Sequence, residues 1–271
     1  MTDAHCHPWD LLEFRKNAEE ERRNTGTACA ASSWNLQQFE YHEGLAKNAR
    51  EDDAPPLFCC FALHPQLAPE FLKGADPQDK SFSLSSGLEL LETLAAESRL
   101  DAVGETGFDL YNDLFRAAEK IQDEMFASHL ETALKYDLPL ILHVRRAMHK
   151  IFPFARELKK LPAVVFHSWP GTRAEGEAIL ARGINAYFSF GSPVLKNHKE
   201  AMASAAFFPQ DRILLETDAP YQPLRGKEFS SWRDLEAICR GIADLRKAAG
   251  KSCCAKEELQ EQIAVNFFGV F

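Results

Sequence analysis

Short apolar runs alternate with longer amphipathic runs along almost the whole chain, and this alternation sets the fold class. Eight runs have the length and composition of strands that are buried on both faces of a parallel sheet. They lie at residues 2–6, 27–32, 57–63, 100–105, 139–144, 163–167, 184–190 and 212–217. Helical spacing is found near residues 35–50, 84–98, 115–136, 146–159, 172–182, 194–206, 231–249 and 255–268. Eight strands that are mostly separated by helices are typical of an α/β barrel or a doubly wound sheet.

The length of the chain fits one such unit. It has 271 residues, a size that α/β barrels reach as a single domain. No repeat, low-complexity tract or linker divides the sequence, so we predict one domain over residues 1–271. Residues 64–83 are rich in Pro, Gln, Asp and Ser. We interpret them as a long surface loop, with a lid over a site as the alternative.

The first predicted strand ends in His5-Cys6-His7. Residues two apart in a strand point to the same side, so both imidazoles can reach one ion. Imidazole is a ligand that suits Zn, Mn or Fe. Two polar residues at a strand end are the plainer explanation, and the pair alone does not decide between the two.

Metal-binding residue types also end or follow later strands. They are His64, Glu105, His143, His167 and Asp218. A buried strand rarely closes in an ionisable residue, because removing that residue from water is costly without a partner. In a barrel the carboxyl ends of all strands meet at one face, where active sites lie. We therefore predict a metal site at this face, with unrelated polar caps on loops as the alternative.

The number of ligands indicates two ions. Four imidazoles and two carboxylates are too many for one tetrahedral ion with an open position. We predict two divalent ions, Zn, Mn or Mg, that Glu105 bridges. The first is assigned to His5, His7, Glu105 and Asp218, and the second to Glu105, His143 and His167. Glu105 and Asp218 are the predicted catalytic carboxylates: Asp218 orients the attacking water and takes its proton, or acts as a ligand alone.

Other polar and aromatic residues follow the predicted ligands. Glu216 should lie one layer below Asp218, where it contacts a ligand histidine or forms a salt bridge towards a helix. The basic residues that follow strands are Arg145, Arg146, Arg173, Lys196, Lys199 and Arg225. We predict that Arg145 binds substrate phosphate, since a guanidinium can bind two oxygens; solvated helix starts are the plainer explanation. Trp169 is predicted either to stack on a base or to wall the site, and for Phe108 and Tyr221 we prefer the wall.

Composition narrows the class of protein. The net charge of −9 counts against a protein that coats nucleic acid, but not against a nuclease, in which bound divalent ions supply positive charge. The seven cysteines are odd in number and indicate a reducing, intracellular compartment. We find no basic-then-apolar leader and no apolar run of membrane-spanning length. We therefore expect a cytoplasmic protein with no membrane contact, and infer no obligate protein partner.

The motifs together resemble the TatD family of metal-dependent deoxyribonucleases, within the amidohydrolase-like barrels. The resemblance runs over nearly the whole chain, through "DAHCHPWD", "ALHP", "VGETGFD", "LILHVRRA", "FHSWPG", "LLETDAPY" and "AVNFFGVF". It implies an α/β fold of the TIM-type (β/α)8 class, a binuclear divalent-metal site and hydrolysis of DNA phosphodiester bonds. It places the family's ligands at His5, His7, Glu105, His143, His167 and Asp218, and a substrate-side histidine at His64.

Some departures from the family pattern affect substrate contacts and leave the ligand set complete. Ala62 and Gln66 stand where the family commonly has glycine and a second histidine, and "FFGVF" lacks the usual arginine. We predict a DNA phosphodiesterase. The alternative is a small-molecule amide, ester or lactone hydrolase on the same metal site. A non-catalytic scaffold is a third hypothesis, which the complete ligand set argues against.

Overall fold

The computed structural model describes residues 1–73, 83–251 and 255–271. Its eight strands form one parallel sheet in chain order. They are β1 (Thr2–Cys6), β2 (Ala28–Ser33), β3 (Leu57–Phe61), β4 (Ala102–Asp109), β5 (Leu140–Arg145), β6 (Val164–Phe166), β7 (Ala186–Phe190) and β8 (Ile213–Leu215). Backbone hydrogen bonds from Asp218 N–H to the His5 carbonyl (3.0 Å) and from His7 N–H to the Ala219 carbonyl (2.7 Å) join the last strand to the first. The predicted TIM-type barrel is confirmed.

Helices separate the strands and surround them. Their bounds are α1 (Pro8–Leu11), α2 (Ala18–Asn24), α3 (Leu36–Glu51), α4 (Ala68–Lys73), α5 (Leu84–Ala96), α6 (Asp113–Ala117), α7 (Glu119–Tyr136), α8 (Met148–Ile151), α9 (Ala155–Leu158), α10 (Arg173–Ala181), α11 (Lys199–Phe207), α12 (Leu235–Ala248) and α13 (Lys256–Phe268). Within the described ranges, none of these helices combines the length and apolarity needed to cross a bilayer.

Two predicted helices are broken in the structure. The one predicted at 146–159 forms α8, a 3-10 turn at Phe152–Phe154 and α9. Pro153 lies in that turn, where it lacks an N–H and its ring crowds the preceding carbonyls. The helix predicted at 115–136 is divided into α6 and α7, and the side chain of Asn112 caps α6 by accepting the Phe115 N–H.

Other predicted bounds are also corrected. The strand predicted to end at 105 continues to Asp109. The surface loop predicted at 64–83 contains a 3-10 turn at Pro65–Leu67 and α4, while residues 74–82 lie outside the described part of the chain. Residues 252–254, with two of the seven cysteines, lie outside it as well.

Small apolar side chains fill one end of the barrel interior. The buried cluster there consists of Ala4, Ala28, Ala30, Cys60, Ala102, Ile141, Ala163, Val165, Leu214, Phe267 and Val270. Asn266 anchors the C-terminal helix α13 by donating to the carbonyls of Gln210 and Ile213 at the start of β8. Phe267 and Val270 therefore close the end where the strands begin, which leaves the opposite end to polar side chains.

Two buried histidines outside the predicted ligand set are held neutral. His129 Nε2 accepts the Leu63 N–H at 3.1 Å, and its Nδ1 lies 2.6 Å from the Thr106 hydroxyl. His42 Nε2 likewise accepts the Trp9 N–H at 3.2 Å. Burial lowers the pKa of both imidazoles to about 3. Protonation would also remove the lone pair that accepts each backbone N–H.

We expect the free energy of unfolding to fall as the pH drops below about 6.5. Between there and about pH 3 the unfolded chain binds a proton on each of these histidines and the folded chain does not. At about pH 5 each of these histidines therefore lowers the free energy of unfolding by about 2 kcal/mol. Urea denaturation at about pH 7.5 and about pH 5 checks this with His129→Gln. Between these two pH values, the free energy of unfolding of His129→Gln should fall by about 2 kcal/mol less than that of the wild type. His149→Gln changes an exposed histidine, and its free energy of unfolding should fall by the same amount as that of the wild type. Equal losses in all three proteins would contradict the assignment.

Candidate metal centre

The six predicted ligands converge at the carboxyl ends of the strands. They are His5 in β1, His7 directly after it, Glu105 in β4, His143 in β5, His167 after β6 and Asp218 after β8. All except the fully buried His5 line a cavity of about 960 Å³. The structure thus brings together side chains from both ends of the chain, at the face that the strand positions predict.

The first group of donor atoms surrounds one oxygen of Glu105. His5 Nε2 lies 3.0 Å from Glu105 Oε2 and 3.1 Å from His7 Nε2. Asp218 Oδ1 lies 3.4 Å from His7 Nε2 and 3.8 Å from His5 Nε2. Burial lowers the pKa of His5, which favours the neutral imidazole that binds metals.

The second group surrounds the other oxygen of Glu105. His143 Nδ1 lies 2.7 Å from Glu105 Oε1, and His167 Nε2 lies 3.4 Å from it. His64, expected on the substrate side, brings its Nε2 within 3.3 Å of both Glu105 Oε1 and His143 Nδ1. It therefore lies as close to this group as His167 does.

These spacings fit divalent ions. Two donors that bind one ion at about 2.1 Å lie about 3.0–3.4 Å apart in octahedral or tetrahedral geometry. Three combinations of described side chains have their donor atoms within 4.8 Å of one another: His5 with His167 and Asp218, His5 with His7 and Glu105, and His64 with Glu105 and His143. Imidazole nitrogens mixed with carboxylate oxygens suit Zn or Mn better than Mg.

Buried polar side chains hold the histidine rings in place. The Ser32 hydroxyl lies 3.2 Å from His5 Nδ1. Glu216, fully buried, brings Oε2 within 3.1 Å of His167 Nδ1. Of the two predicted roles for Glu216, the structure shows the contact with a ligand histidine. Such partners fix which ring nitrogen carries the proton and leave the other free for a cation.

Asp109 is part of the centre and was missed at the sequence level. Its Oδ2 lies 3.2 Å from His143 Nε2 and accepts the Gln66 Nε2–H at 2.7 Å. The strand was predicted to end at Glu105. Because β4 in fact continues, residues 105, 107 and 109 lie on the same face of it, which the predicted boundary did not show. Gly107, between them, has a φ of +133°, and a Cβ there would lie 2.2 Å from the His143 carbonyl oxygen.

Gln222 is a second residue that sequence reasoning missed. Its Nε2 donates to Asp218 Oδ2 at 2.8 Å and lies 2.9 Å from the Ser168 hydroxyl. All three residues have positive φ, in the left-handed region that non-glycine residues adopt infrequently. No local motif signalled this contact, because the two loops that carry Ser168 and Gln222 meet only in the folded barrel.

The carboxylates of the centre are charged at neutral pH. Burial alone would raise the pKa of Glu105, but the histidines around it, His64 foremost, hold that pKa well below its ordinary value. Asp218 is likewise buried, and His167 contributes most to lowering its pKa. Burial would lower the pKa of His167, but carboxylates led by Glu216 raise it to about 10. The carboxylates of the centre therefore favour a positive charge beside them, which a proton on His167 or a divalent ion can supply.

The rim differs from prediction at several positions. Arg145 and Arg146 line the cavity, whereas Arg173, Lys196, Lys199 and Arg225 are not among the described lining residues. Trp169 is 2% exposed and donates its indole N–H to the Ser204 hydroxyl at 3.0 Å. It walls the cavity, and this burial does not support the stacking role.

The two other aromatic residues have different outcomes. Tyr221 is half exposed, lines the cavity and donates its hydroxyl to Asp10 Oδ2 at 3.1 Å. It is therefore a wall, as preferred. The same preference was wrong for Phe108, which is fully buried and packs against Phe126 of α7 with ring centroids 4.8 Å apart. Phe108 points away from the centre because it alternates with Gly107 and Asp109 along β4.

The chain is similar to known proteins over its whole described length. A family model described as TatD related DNase matches residues 2–271. The chain belongs to the TatD-related DNase family. It is similar to "Uncharacterized metal-dependent hydrolase YcfH" of Escherichia coli K12, with 28% identity over 282 residues that cover 100% of this chain and 95% of the relative. The TatD-family chain is therefore a metal-dependent hydrolase.

Two further comparisons describe its place in the TatD family. "3'-5' ssDNA/RNA exonuclease TatD" of Escherichia fergusonii is 33% identical over 151 residues, which cover 55% of this chain and 56% of the relative. The crystal structure of YjjV, a TatD homologue from Escherichia coli K12, has a TM-score of 0.80 and 23% identity, and covers 100% of this chain and 97% of that one. The second likeness shows the shared fold.

In this TatD-family chain we expect Glu216→Ala to lower metal affinity about 10–100-fold, because His167 loses the acceptor that orients its ring. Glu216→Gln keeps a carbonyl oxygen that can accept from His167, so its metal affinity should fall less than that of Glu216→Ala. Calorimetric titration of the metal-free protein with Mn²⁺ or Zn²⁺ measures both. The control is Glu236→Ala, which removes an exposed carboxylate paired with Lys256. Wild-type affinity in both Glu216 variants would show that the contact does not support the ligand.

Proposed function

We propose that this TatD-family hydrolase cleaves DNA phosphodiester bonds at a binuclear metal site, with residues 1–271 acting as one catalytic domain. The observation that carries the proposal is the position of Glu105. Its Oε2 lies 3.0 Å from His5 Nε2 and its Oε1 lies 2.7 Å from His143 Nδ1. One carboxylate thus faces two separate sets of histidines, which is the arrangement of a bridging ligand.

We propose the division of ligands that the order of the strands predicts; the distances alone place His64 as close to the second set as His167 and place His167 also beside His5 and Asp218. The first ion would be held by His5, His7, Glu105 and Asp218, and the second by Glu105, His143 and His167. His64 lies beside the second set and faces the cavity, so we place it next to the substrate. Bound divalent ions would lower the pKa of a water molecule and offset the charge that develops on a phosphate.

The protein side chains perform the remaining steps. Asp218 has one oxygen towards His7 and the other held by Gln222, so its carboxylate has a fixed direction. We propose that Asp218 orients the attacking water and accepts its proton. Arg145, exposed at the end of β5, supplies positive charge to the phosphates of the substrate. Trp169 and Tyr221 form walls that limit access of bulk water.

A second candidate function is hydrolysis of a small amide, ester or lactone. Asp10 and Glu70 also line the cavity, and the chain carries a net charge of −9. Both features favour a small or uncharged substrate over a long polyanion. The relative from Escherichia fergusonii is named a DNA and RNA exonuclease, which supports the nucleic-acid substrate.

The deciding experiment compares both substrate classes on one metal-loaded preparation. End-labelled single-stranded and double-stranded DNA is incubated with Mn²⁺, Zn²⁺ or Mg²⁺, beside a panel of esters, amides and lactones. We expect DNA to be shortened in a metal-dependent way and cleavage to stop on addition of a chelator. Turnover of the small molecules without DNA cleavage would overturn the proposal in favour of the second candidate.

A further inference from the structure

Two arginines and a tyrosine form a stack at the rim of the cavity. The Arg145 guanidinium carbon lies 3.7 Å from the centroid of the Tyr111 ring, and that of Arg146 lies 4.5 Å from it. All three side chains are exposed and line the cavity. In a chain of net charge −9, two neighbouring guanidiniums on one aromatic ring are a local concentration of positive charge.

The stack is held in place but its charge is not neutralised. Arg146 donates from Nη1 to the Tyr111 carbonyl at 3.2 Å, and its backbone has a φ of +57°. The nearest carboxylate to Arg145 is Asp109, at 4.0 Å, and Asp109 already contacts Gln66 and His143. In the described part of the chain, Arg146 has no carboxylate within 4.0 Å. A contact with an aromatic ring occupies no carboxylate, and each guanidinium carries five N–H donors, so donors remain available to oxygen acceptors.

The stack lies close to the metal centre. Asp109 Oδ2 lies 4.0 Å from Arg145 Nη1 and 3.2 Å from His143 Nε2, so the guanidinium nitrogen is at most 7.2 Å from the imidazole nitrogen. That separation is close to the distance between successive phosphates in an extended nucleic-acid strand. A substrate with one phosphate at the centre would therefore present its next phosphate near Arg145 and Arg146.

The charge of the residues that line the cavity differs from one side of the metal centre to the other. Asp10 lines the cavity after β1, four strands from β5 in the barrel order, and Tyr221 contacts it. This carboxylate repels phosphate, whereas the stack after β4 and β5 attracts it. A polyanion is accordingly favoured on one side of the centre and disfavoured on the other.

We propose that Arg145, Tyr111 and Arg146 form a subsite for the phosphate adjacent to the one that is cleaved. This inference rests on the phosphodiesterase function proposed above and adds a requirement on the substrate. The preferred substrate carries a second phosphodiester one nucleotide from the scissile bond. Tyr111 is a positioning residue, because it holds the two guanidiniums that bind the phosphate oxygens.

The test compares a trinucleotide, which has two phosphodiesters, with a dinucleoside monophosphate, which has one. The wild type should hydrolyse the trinucleotide with a kcat/KM about tenfold higher. Arg146→Ala and Tyr111→Leu should remove this preference by raising the KM for the trinucleotide, whereas Arg173→Ala should leave the preference, kcat and the hydrolysis of bis(p-nitrophenyl) phosphate at wild-type values. The dependence of log KM on log salt should also weaken by about 0.7 in Arg146→Ala.

Arg173→Ala is the matched control. Arg173 also lies over an aromatic ring, that of Phe207 at 4.4 Å, but it pairs with Glu177 and does not line the cavity. A second measurement, fluorescence anisotropy of the labelled trinucleotide with chelator present, reads binding without hydrolysis. Arg146→Ala should bind it about tenfold more weakly than the wild type and Arg173→Ala equally well.

The outcomes separate this inference from the proposed function. If wild-type enzyme cleaves bis(p-nitrophenyl) phosphate and oligonucleotides, but Arg146→Ala retains the preference and the binding affinity, the subsite is overturned and the function stands. If wild-type enzyme cleaves none of these phosphodiesters, the proposed function fails. In that case equal trinucleotide binding by wild type and Arg146→Ala overturns the subsite as well, and weaker binding by the variant supports it as a phosphate site.

Discussion

Replacing Glu105 with glutamine is expected to slow metal-dependent hydrolysis at least about a thousandfold. The substitution keeps the size of the side chain but removes the charge that faces both histidine groups. A neutral amide offers one oxygen and one N–H group in place of two anionic oxygens, so it cannot serve both positions. We expect bound metal, measured by elemental analysis, to fall from about two ions per chain to one or none. The rate is measured with bis(p-nitrophenyl) phosphate, because hydrolysis of this small phosphodiester does not depend on contacts with a nucleic-acid chain.

The control for this substitution is Glu89→Gln. Glu89 is exposed on α5 and contacts Ser85, so the same change of charge there should alter neither rate nor metal content. Circular dichroism and thermal unfolding establish that the Glu105 variant is folded. A folded Glu105→Gln protein that retains two ions and the wild-type rate would refute the bridging role. One retained ion with wild-type activity would instead show that a single ion is sufficient.

The metal centre could be anticipated from sequence because it depends on strand position. His143 and Glu105 lie in apolar runs of strand length, and parallel strands of a barrel place such residues at one face. The barrel itself follows from the same runs, since eight buried strands separated by helices have few stable arrangements. The location of a side chain could therefore be predicted from sequence where it depends only on the position of the residue at the end of a strand.

What sequence reasoning missed depends on contacts between loops. Gln222 reaches Asp218 and Ser168 across two loops, and no spacing within either loop signals that contact. The position of Trp169 after a predicted ligand left two roles open, stacking on a base and walling the site, and the surrounding Phe166, Phe188 and Phe208 bury the ring. Such packing is set by which helices lie behind the strand, and this is decided by the tertiary fold and not by local pattern.

Asp109 shows how a small error in a strand boundary hides a residue of the candidate site. The predicted strand ends at Glu105, because Thr106, Gly107 and Asp109 after it are residue types common in loops. In the structure β4 continues through them, and Gly107 permits the close approach to the His143 carbonyl. Residues 105, 107 and 109 then share one face of the strand.

Asp218→Asn is expected to lower kcat about 10²–10⁴-fold while KM and metal content stay near wild-type values. An asparagine retains an oxygen that can point towards His7 and a shape that fits beside Gln222. It cannot accept the proton of an attacking water, because a neutral amide oxygen is a very weak base. The measurement is steady-state hydrolysis of bis(p-nitrophenyl) phosphate together with elemental analysis of the same preparation.

The combination of readouts separates the two roles that Asp218 can have. If it is the base, kcat falls and the ions remain; if it is a ligand alone, activity and bound metal fall together, and excess metal restores the rate. Asp211→Asn is the control, since Asp211 is exposed in the turn before β8, at the end of the barrel opposite the centre. Restoration of the Asp218→Asn rate by excess Mn²⁺ would therefore contradict proton acceptance by this carboxylate, because added metal replaces a lost ligand and not a lost base.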